Sequence, residues 1–364
     1  MCYGRGMIAA DQQRIAGAEV VLPCAELERT LDFFTEKLGF RLEAIFPADA
    51  PAVAVVVGHG LRLRLEREGE GAPGRIRLLC REPDAVAGGE RLLIAPNGTR
   101  VDLVAAETPV VVPPLKPEFV LSRMRGDAWD AGRAGMLYRD LIPGRLGGRF
   151  IASHIRIASG GPVPDYVHFH KIRFQMIFCR TGWVRLVYED QGPPFVMRAG
   201  DCVLQPPEIR HRVLESSAGL EVIEIACPAV HETFADNVLT LPTASVNRER
   251  DFGGQRFLWH VASEARWQPW RVHGFECRDT GMSEATRGLA GARMVRPKGA
   301  AETPREIHDR ELQFFFVLDG TATLACQGVH RLSPGDAVTI PAGMPSALSA
   351  CADDLSLLEV TLPA

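Results

Sequence analysis

More than half of this 364-residue chain is written twice. His170 and His308, Gln175 and Gln313, and Gly182 and Gly320 pair at an offset of 138 residues. Gly200-Asp201-Cys202-Val203-Leu204-Gln205-Pro206 answers Gly335-Asp336-Ala337-Val338-Thr339-Ile340-Pro341 at an offset of 135. Tyr138-Arg139-Asp140-Leu141 and Cys277-Arg278-Asp279-Thr280 open comparable segments 139 residues apart. Such self-similarity means two copies of one unit in tandem. Within each copy short β-rich runs alternate with turn signals every eight to twelve residues, and helical periodicity is scarce. That spacing predicts a barrel or sandwich in each copy.

A different unit precedes the repeat. Residues 1–15 read as a leader, and Glu19-Val20-Val21-Leu22-Pro23 as a strand. Leu27, Leu31, Phe34 and Leu38 then put one apolar face on a helix that Gly39 ends. Strands are predicted at 40–47, 52–58, 61–67, 75–80, 91–95 and 100–105, giving an α+β sheet domain over 16–106. Proline-rich residues 108–117 form a stiff linker. The boundaries are then 16–106 for this domain, 107–245 for the first copy and 246–364 for the second.

Composition excludes several classes. With 41 Lys plus Arg against 45 Asp plus Glu and no block of like charge, a nucleic-acid-binding surface is not expected. No run of eighteen apolar residues occurs and residues 1–7 lack the apolar core of a signal peptide, so no membrane association and a cytoplasmic location are expected. Nine scattered cysteines without a C-x-x-C pair read as free thiols.

The first copy carries the chemistry. His168 and His170 are two residues apart, so on a strand both imidazoles share a face. Gln175 lies five beyond His170, an odd spacing that needs a bend or a bulge to regain that face. His211 must arrive from a distant strand whose start is fixed by the Gly200-Asp201 turn and Pro206-Pro207. Three imidazoles and an amide oxygen would hold a divalent first-row metal ion with positions left open for water or substrate. Arg156, Lys171, Arg173, Arg180 and Arg185 crowd the same stretch. Arg173 shares strand parity with Gln175, and as a substrate-facing catalytic residue it would clamp a carboxylate at two points. Tyr188, Trp183 and His154 are further candidates for the pocket wall.

In the second copy the corresponding set is Glu306, His308, Gln313 and Ser346. Two of the three imidazoles are missing, so this copy is expected to be structural or to bind an organic ligand without metal. His231, His260, His273 and His330 are isolated and read as ordinary surface or hydrogen-bonded residues.

Two family resemblances follow. His168-x-His170, Gln175, Gly182, and then Gly200, Pro206 and His211 resemble the two cupin motifs, H-x-H-x4-E-x6-G and G-x5-P-x4-H, with Gln175 where the family usually has Glu. Losing that charge should weaken metal affinity and leave the ion more electrophilic. Val20-Val21-Leu22-Pro23, Glu28 to Phe34, Leu38-Gly39-Phe40 and Pro96-Asn97-Gly98 to Val104 resemble the vicinal-oxygen-chelate (glyoxalase/bleomycin-resistance) family. That family's ligand positions here hold Glu19, Arg75 and Asp102, an ion-pair network and a poor divalent site. The resemblances imply a mainly β chain: two tandem cupin (jelly-roll-type) barrels, or bicupin, after a small α+β glyoxalase-like domain that serves packing or dimerisation. They also imply a homodimer with one divalent ion per chain, Fe(II) favoured and Zn, Mn or Ni open, held by His168, His170, Gln175 and His211. The expected activity is a dioxygenase acting on a small acidic or enolisable, and thus anionic, metabolite. Non-redox isomerase, decarboxylase or lyase chemistry, and a non-catalytic small-molecule-binding protein, are the alternatives.

Overall fold

The computed structural model describes residues 15–124, 129–132, 135–299 and 301–364, so residues 1–14 of the expected leader lie outside the described residues. The chain divides between Pro109 and Val110 into two compact units.

In the N-terminal unit the strand Val20–Pro23 runs parallel to Leu61–Glu66, and Val53–Gly58 and Arg41–Phe46 complete a four-stranded sheet. Leu27, Phe34 and Leu38 are buried on one helical face. The helix Leu27–Asp32 widens into a π turn, Phe33–Lys37. A second sheet joins Arg75–Cys80, Arg100–Ala105 and Leu92–Ile94. Glu19 pairs with Arg62 at 2.6 Å and Asp102 with Arg75 at 2.5 Å, so an arginine neutralises each acid.

The C-terminal unit holds two pairs of sheets. In the first half a seven-stranded sheet runs in the order Leu258–His260, Cys202–Leu204, Phe174–Thr181, Leu220–Cys227, Ile151–Ile157, Leu137–Asp140, Asp130–Ala131. It faces a smaller sheet with His168–His170, His211–Ser216 and Trp183–Tyr188 at its centre. In the second half Leu312–Asp319 and Ser356–Leu362 lie inside another seven-stranded sheet, and Ala322–Ala325 centres its smaller partner.

Strand alternation decides what each face does. Phe174, Met176 and Phe178 join Phe314, Phe316, Leu358 and Val360 in one buried core, so the two large sheets pack back to back. The residues between them, Gln175 and Ile177 in one half and Gln313 and Phe315 in the other, face their own cavities. Burying each of these Phe side chains stabilises the unit by about 1.5–3 kcal/mol.

The repeated Gly-Asp turn has a further use. Gly200 and Gly335 sit at φ +90° and +89°, where a Cβ is disfavoured. One Asp201 oxygen accepts from Arg198 N–H at 2.8 Å, and one Asp336 oxygen from Ser333 N–H at 3.0 Å. The other oxygen of each carboxylate accepts from a crossing segment, Ala262 N–H at 2.8 Å and Met124 N–H at 2.9 Å. Those segments end exchanged edge strands: Leu258–His260 pairs with Cys202–Leu204, whereas Val120–Ser122 pairs with Ala337–Ile340. Both pairings cross the sequence boundary expected at 245/246. Pairing between strands distant in sequence leaves no local signal that could have marked the exchange. No helix among the described residues is long and apolar enough to cross a membrane.

Candidate metal centre

The strand His168–His170 puts both imidazoles inward, while Phe169 points outward and stacks on Phe234 with ring centres 5.2 Å apart. His211 opens its own strand directly opposite His168 in antiparallel register. The three imidazoles are buried, and each offers a ligand nitrogen such that all three lie within 4.8 Å of one another. Between His170 and Gln175 the chain leaves the small sheet for the large one. The odd spacing is thus absorbed by a change of sheet, and Gln175 lines the same cavity as the three histidines.

The Nδ1 atom of each ring has a partner, and for two of the rings that partner fixes the tautomer. Nδ1–H of His168 donates to the Tyr166 carbonyl at 2.8 Å and that of His211 to the Ile209 carbonyl at 3.0 Å. His170 Nδ1 meets the Thr233 hydroxyl at 3.2 Å. A donating Nδ1 leaves the lone pair on Nε2, the form in which imidazole ligates metal, and the partner holds the ring in place. Tyr188 stacks on His211 with ring centres 5.5 Å apart, and its burial pushes the phenol pKa up.

Gln175 donates from Nε2 to Glu224 Oε1 at 2.5 Å. Its Oε1 is buried and accepts no hydrogen bond from the described residues. A buried amide oxygen left without a donor costs about 1–3 kcal/mol, which a cation would relieve. The donor set, neutral nitrogens with one amide oxygen, suits a divalent first-row ion.

The cavity measures about 320 Å³. Its wall is mostly apolar, with Ile151, Ile155, Ile157, Leu186 and Val222 prominent, and no lysine or arginine stands among the described residues that line it. Arg173 is therefore not brought to the histidines. Its guanidinium grips Glu311 of the second half at 2.8 and 3.2 Å, and Arg149 holds the same carboxylate at 2.6 Å. Arg180 pairs with Glu221 and Arg185 with Glu215. Parity fails for Arg173 because it precedes the strand, on the connection where the chain changes sheets.

Of the other candidates, Tyr188 lines the cavity; Trp183 and His154 do not. His154 faces the opposite side of its strand, where Nε2–H donates to Glu221 at 2.9 Å and Nδ1 accepts from Arg139 at 3.3 Å. Burial holds its pKa below the usual histidine value. The wall also holds a carboxylate and a fourth imidazole that are not among the sequence-based candidates. Glu224 is the one acid inside the alternation Leu220, Val222, Glu224, a signal that was legible. His231, read as an isolated residue, lies 5.2 Å from the His170 ring, brought there by a loop that carries no such signal.

The second half differs at the same place. Glu306 and Ser346 face each other in a backbone bridge, as His168 and His211 do, and both line a cavity of about 260 Å³. His308 Nδ1 accepts from the Arg310 N–H at 3.1 Å, and its Nε2–H donates to the Ile340 carbonyl at 3.0 Å. Both ring nitrogens are engaged by backbone, so this imidazole offers no lone pair to a metal.

Residues 292–361, within the second half, match the family model described as Cupin domain. None of the curated proteins matches the sequence. Among solved structures the chain is similar to oxalate decarboxylase from Bacillus subtilis, at 14% identity and a TM-score of 0.50, over 67% of this chain and 76% of that one. It is also similar to the protein Ylba from E. coli, at 13% identity and a TM-score of 0.51, over 69% of this chain and 93% of that one. At such identities the likeness shows the cupin fold and leaves the chemistry to the residues.

Proposed function

We propose that this cupin-fold chain is a metal-dependent enzyme whose reaction takes place in the first-half cavity, with His168, His170, His211 and Gln175 holding one divalent ion, Fe(II) by preference. The observation that carries the reading is the trio of buried imidazoles whose Nδ1 atoms are all engaged behind them. When bound, such an ion supplies Lewis-acid polarisation of a chelated substrate oxygen and, if redox-active, electrons for O2.

Charge narrows the substrate. Three neutral imidazoles, a neutral amide, a divalent ion and the Glu224 carboxylate sum to one positive charge. That balance suits a single enolate or catecholate head, while the apolar wall suits an uncharged apolar body. A polycarboxylate would find no guanidinium among the lining residues. Glu224 is the single carboxylate among them and is the group able to take a proton from an enolisable carbon or hydroxyl. Gln175 orients it through the 2.5 Å hydrogen bond. The leading reaction is O2-dependent cleavage of such a substrate. Because Glu224 could also act without O2, metal-assisted isomerisation or decarboxylation is the second reading.

The test is O2 uptake by Fe(II)-loaded protein offered substituted catechols, β-diketones and hydroxyaromatic acids, beside oxalate as the polycarboxylate. The proposal expects uptake with an apolar-bodied chelator and none with oxalate, and a fall in kcat of about 10²–10⁴-fold in Glu224→Gln. Equal turnover under nitrogen with a redox-inert ion would select the second reading. No turnover under either condition would overturn both.

A further inference from the structure

A second cavity in the C-terminal unit has no role so far, and its chemistry is unlike that of the first. Two arginines line it, Arg271 and Arg310. Arg271 lies over Trp270, 4.0 Å from the ring centre, and touches Glu306 and Glu359 at 3.3 Å each. Glu359 is buried and is also approached by Arg293 and by the Trp270 Nε1–H, both at 3.3 Å. Among the described residues, Arg310 has no carboxylate within ion-pair distance, although its backbone N–H is spent on His308. Thr303 Oγ1 accepts from Leu348 N–H at 2.7 Å, which leaves its own hydroxyl proton to donate. Across these donors stand Trp270, Phe315 and Ile340.

We propose that this cavity is a metal-free binding site for a small monocarboxylate with an apolar body. The wall carries two guanidinium charges against one exposed carboxylate, Glu306, and so lacks one negative charge. Arg310 is the cation left to be neutralised, and a guanidinium receives a carboxylate through two parallel hydrogen bonds. The aromatic and aliphatic side covers the rest of a ligand small enough for about 260 Å³. With its imidazole turned to backbone partners, the second half has the scaffold of a metal cup and the lining of an anion site. The inference stands independently of the activity proposed for the first half.

The probes are phenylacetate and its neutral analogue phenylacetamide, titrated calorimetrically into the full chain after treatment with chelator. Phenylacetate should bind saturably, one per chain, and at least ten-fold more tightly than phenylacetamide. Arg310→Gln should weaken phenylacetate at least ten-fold, Arg310→Lys less, and the His168→Ala/His170→Ala double variant should leave binding unchanged. Absence of saturable binding, equal affinity for acid and amide, or loss in the histidine double variant instead of Arg310→Gln would overturn the proposal. Should Arg310→Gln fail to fold, the acid-to-amide ratio on the unaltered chain decides.

Discussion

The two halves of the C-terminal unit share a scaffold and differ in what their cavities can hold. Each places a buried glutamine, Gln175 or Gln313, inward from the same kind of central strand, and each anchors an exchanged edge strand with the aspartate of a Gly-Asp turn. In the first half three imidazoles each engage Nδ1 with a protein partner and bring ligand nitrogens within 4.8 Å of one another; in the second the one imidazole has both nitrogens engaged. The first wall has no arginine or lysine among its described residues, and the second has two arginines. Scaffold residues and ligand residues can thus be exchanged separately. What makes a histidine a ligand is where its other nitrogen is held, more than its place in a motif.

The shared scaffold gives the largest expected effect. Phe174→Ala and Phe314→Ala come from opposite halves but open holes in one core, so each should cost about 3–5 kcal/mol in a urea melt and leave a single transition in tryptophan fluorescence, which reports on the C-terminal unit alone because all five tryptophans lie there. Two separated transitions would show that the halves are stabilised independently.

The polar island beside that core is next. Hydrogen bonding from His154, and then the Arg180 guanidinium, hold the Glu221 carboxyl at about 2 against its ordinary 4.5. A depressed folded-state pKa contributes stability that is complete above about pH 4.5 and is lost as pH falls toward 2. Glu221→Gln should therefore cost about 2 kcal/mol at pH 7. Denaturation at pH 7 and pH 3 should show that penalty shrinking in acid; a penalty that grows would contradict the assignment.

At the cavities the two glutamines should part company. Gln175→Leu removes the orphan oxygen and the Glu224 donor, and should weaken metal binding about 10–100-fold, a change of about 1.4–2.7 kcal/mol in a chelator competition assay. Gln313→Leu should leave the same assay unchanged. Smallest is Arg173→Gln, which loses one of two arginines on a half-exposed Glu311 and should cost about 1 kcal/mol with kcat unaltered. A fall in kcat without a fall in stability would restore Arg173 to the substrate.

Much of this was legible in the sequence, and the omissions have causes. Alternation and turn residues located the strands at 53–58, 75–80 and 100–105, because local backbone preference and burial agree there. The H-x-H spacing put His168 and His170 on one face because a strand has period two. The same logic misplaced Arg173, since parity carries no information once the chain changes sheets. The exchanged strands and His231 depend on pairing between distant segments, and the state of His308 depends on two backbone partners that no spacing reveals. Glu224 was available as the lone acid on an apolar face.

The assignment of the metal to the first half is tested most directly by elemental analysis of three proteins purified in parallel without added metal: the unaltered chain, His168→Ala/His170→Ala, and His308→Ala. It predicts one transition-metal ion per chain in the first and third and none in the second. Metal retained in the double variant, or lost in His308→Ala, would contradict it.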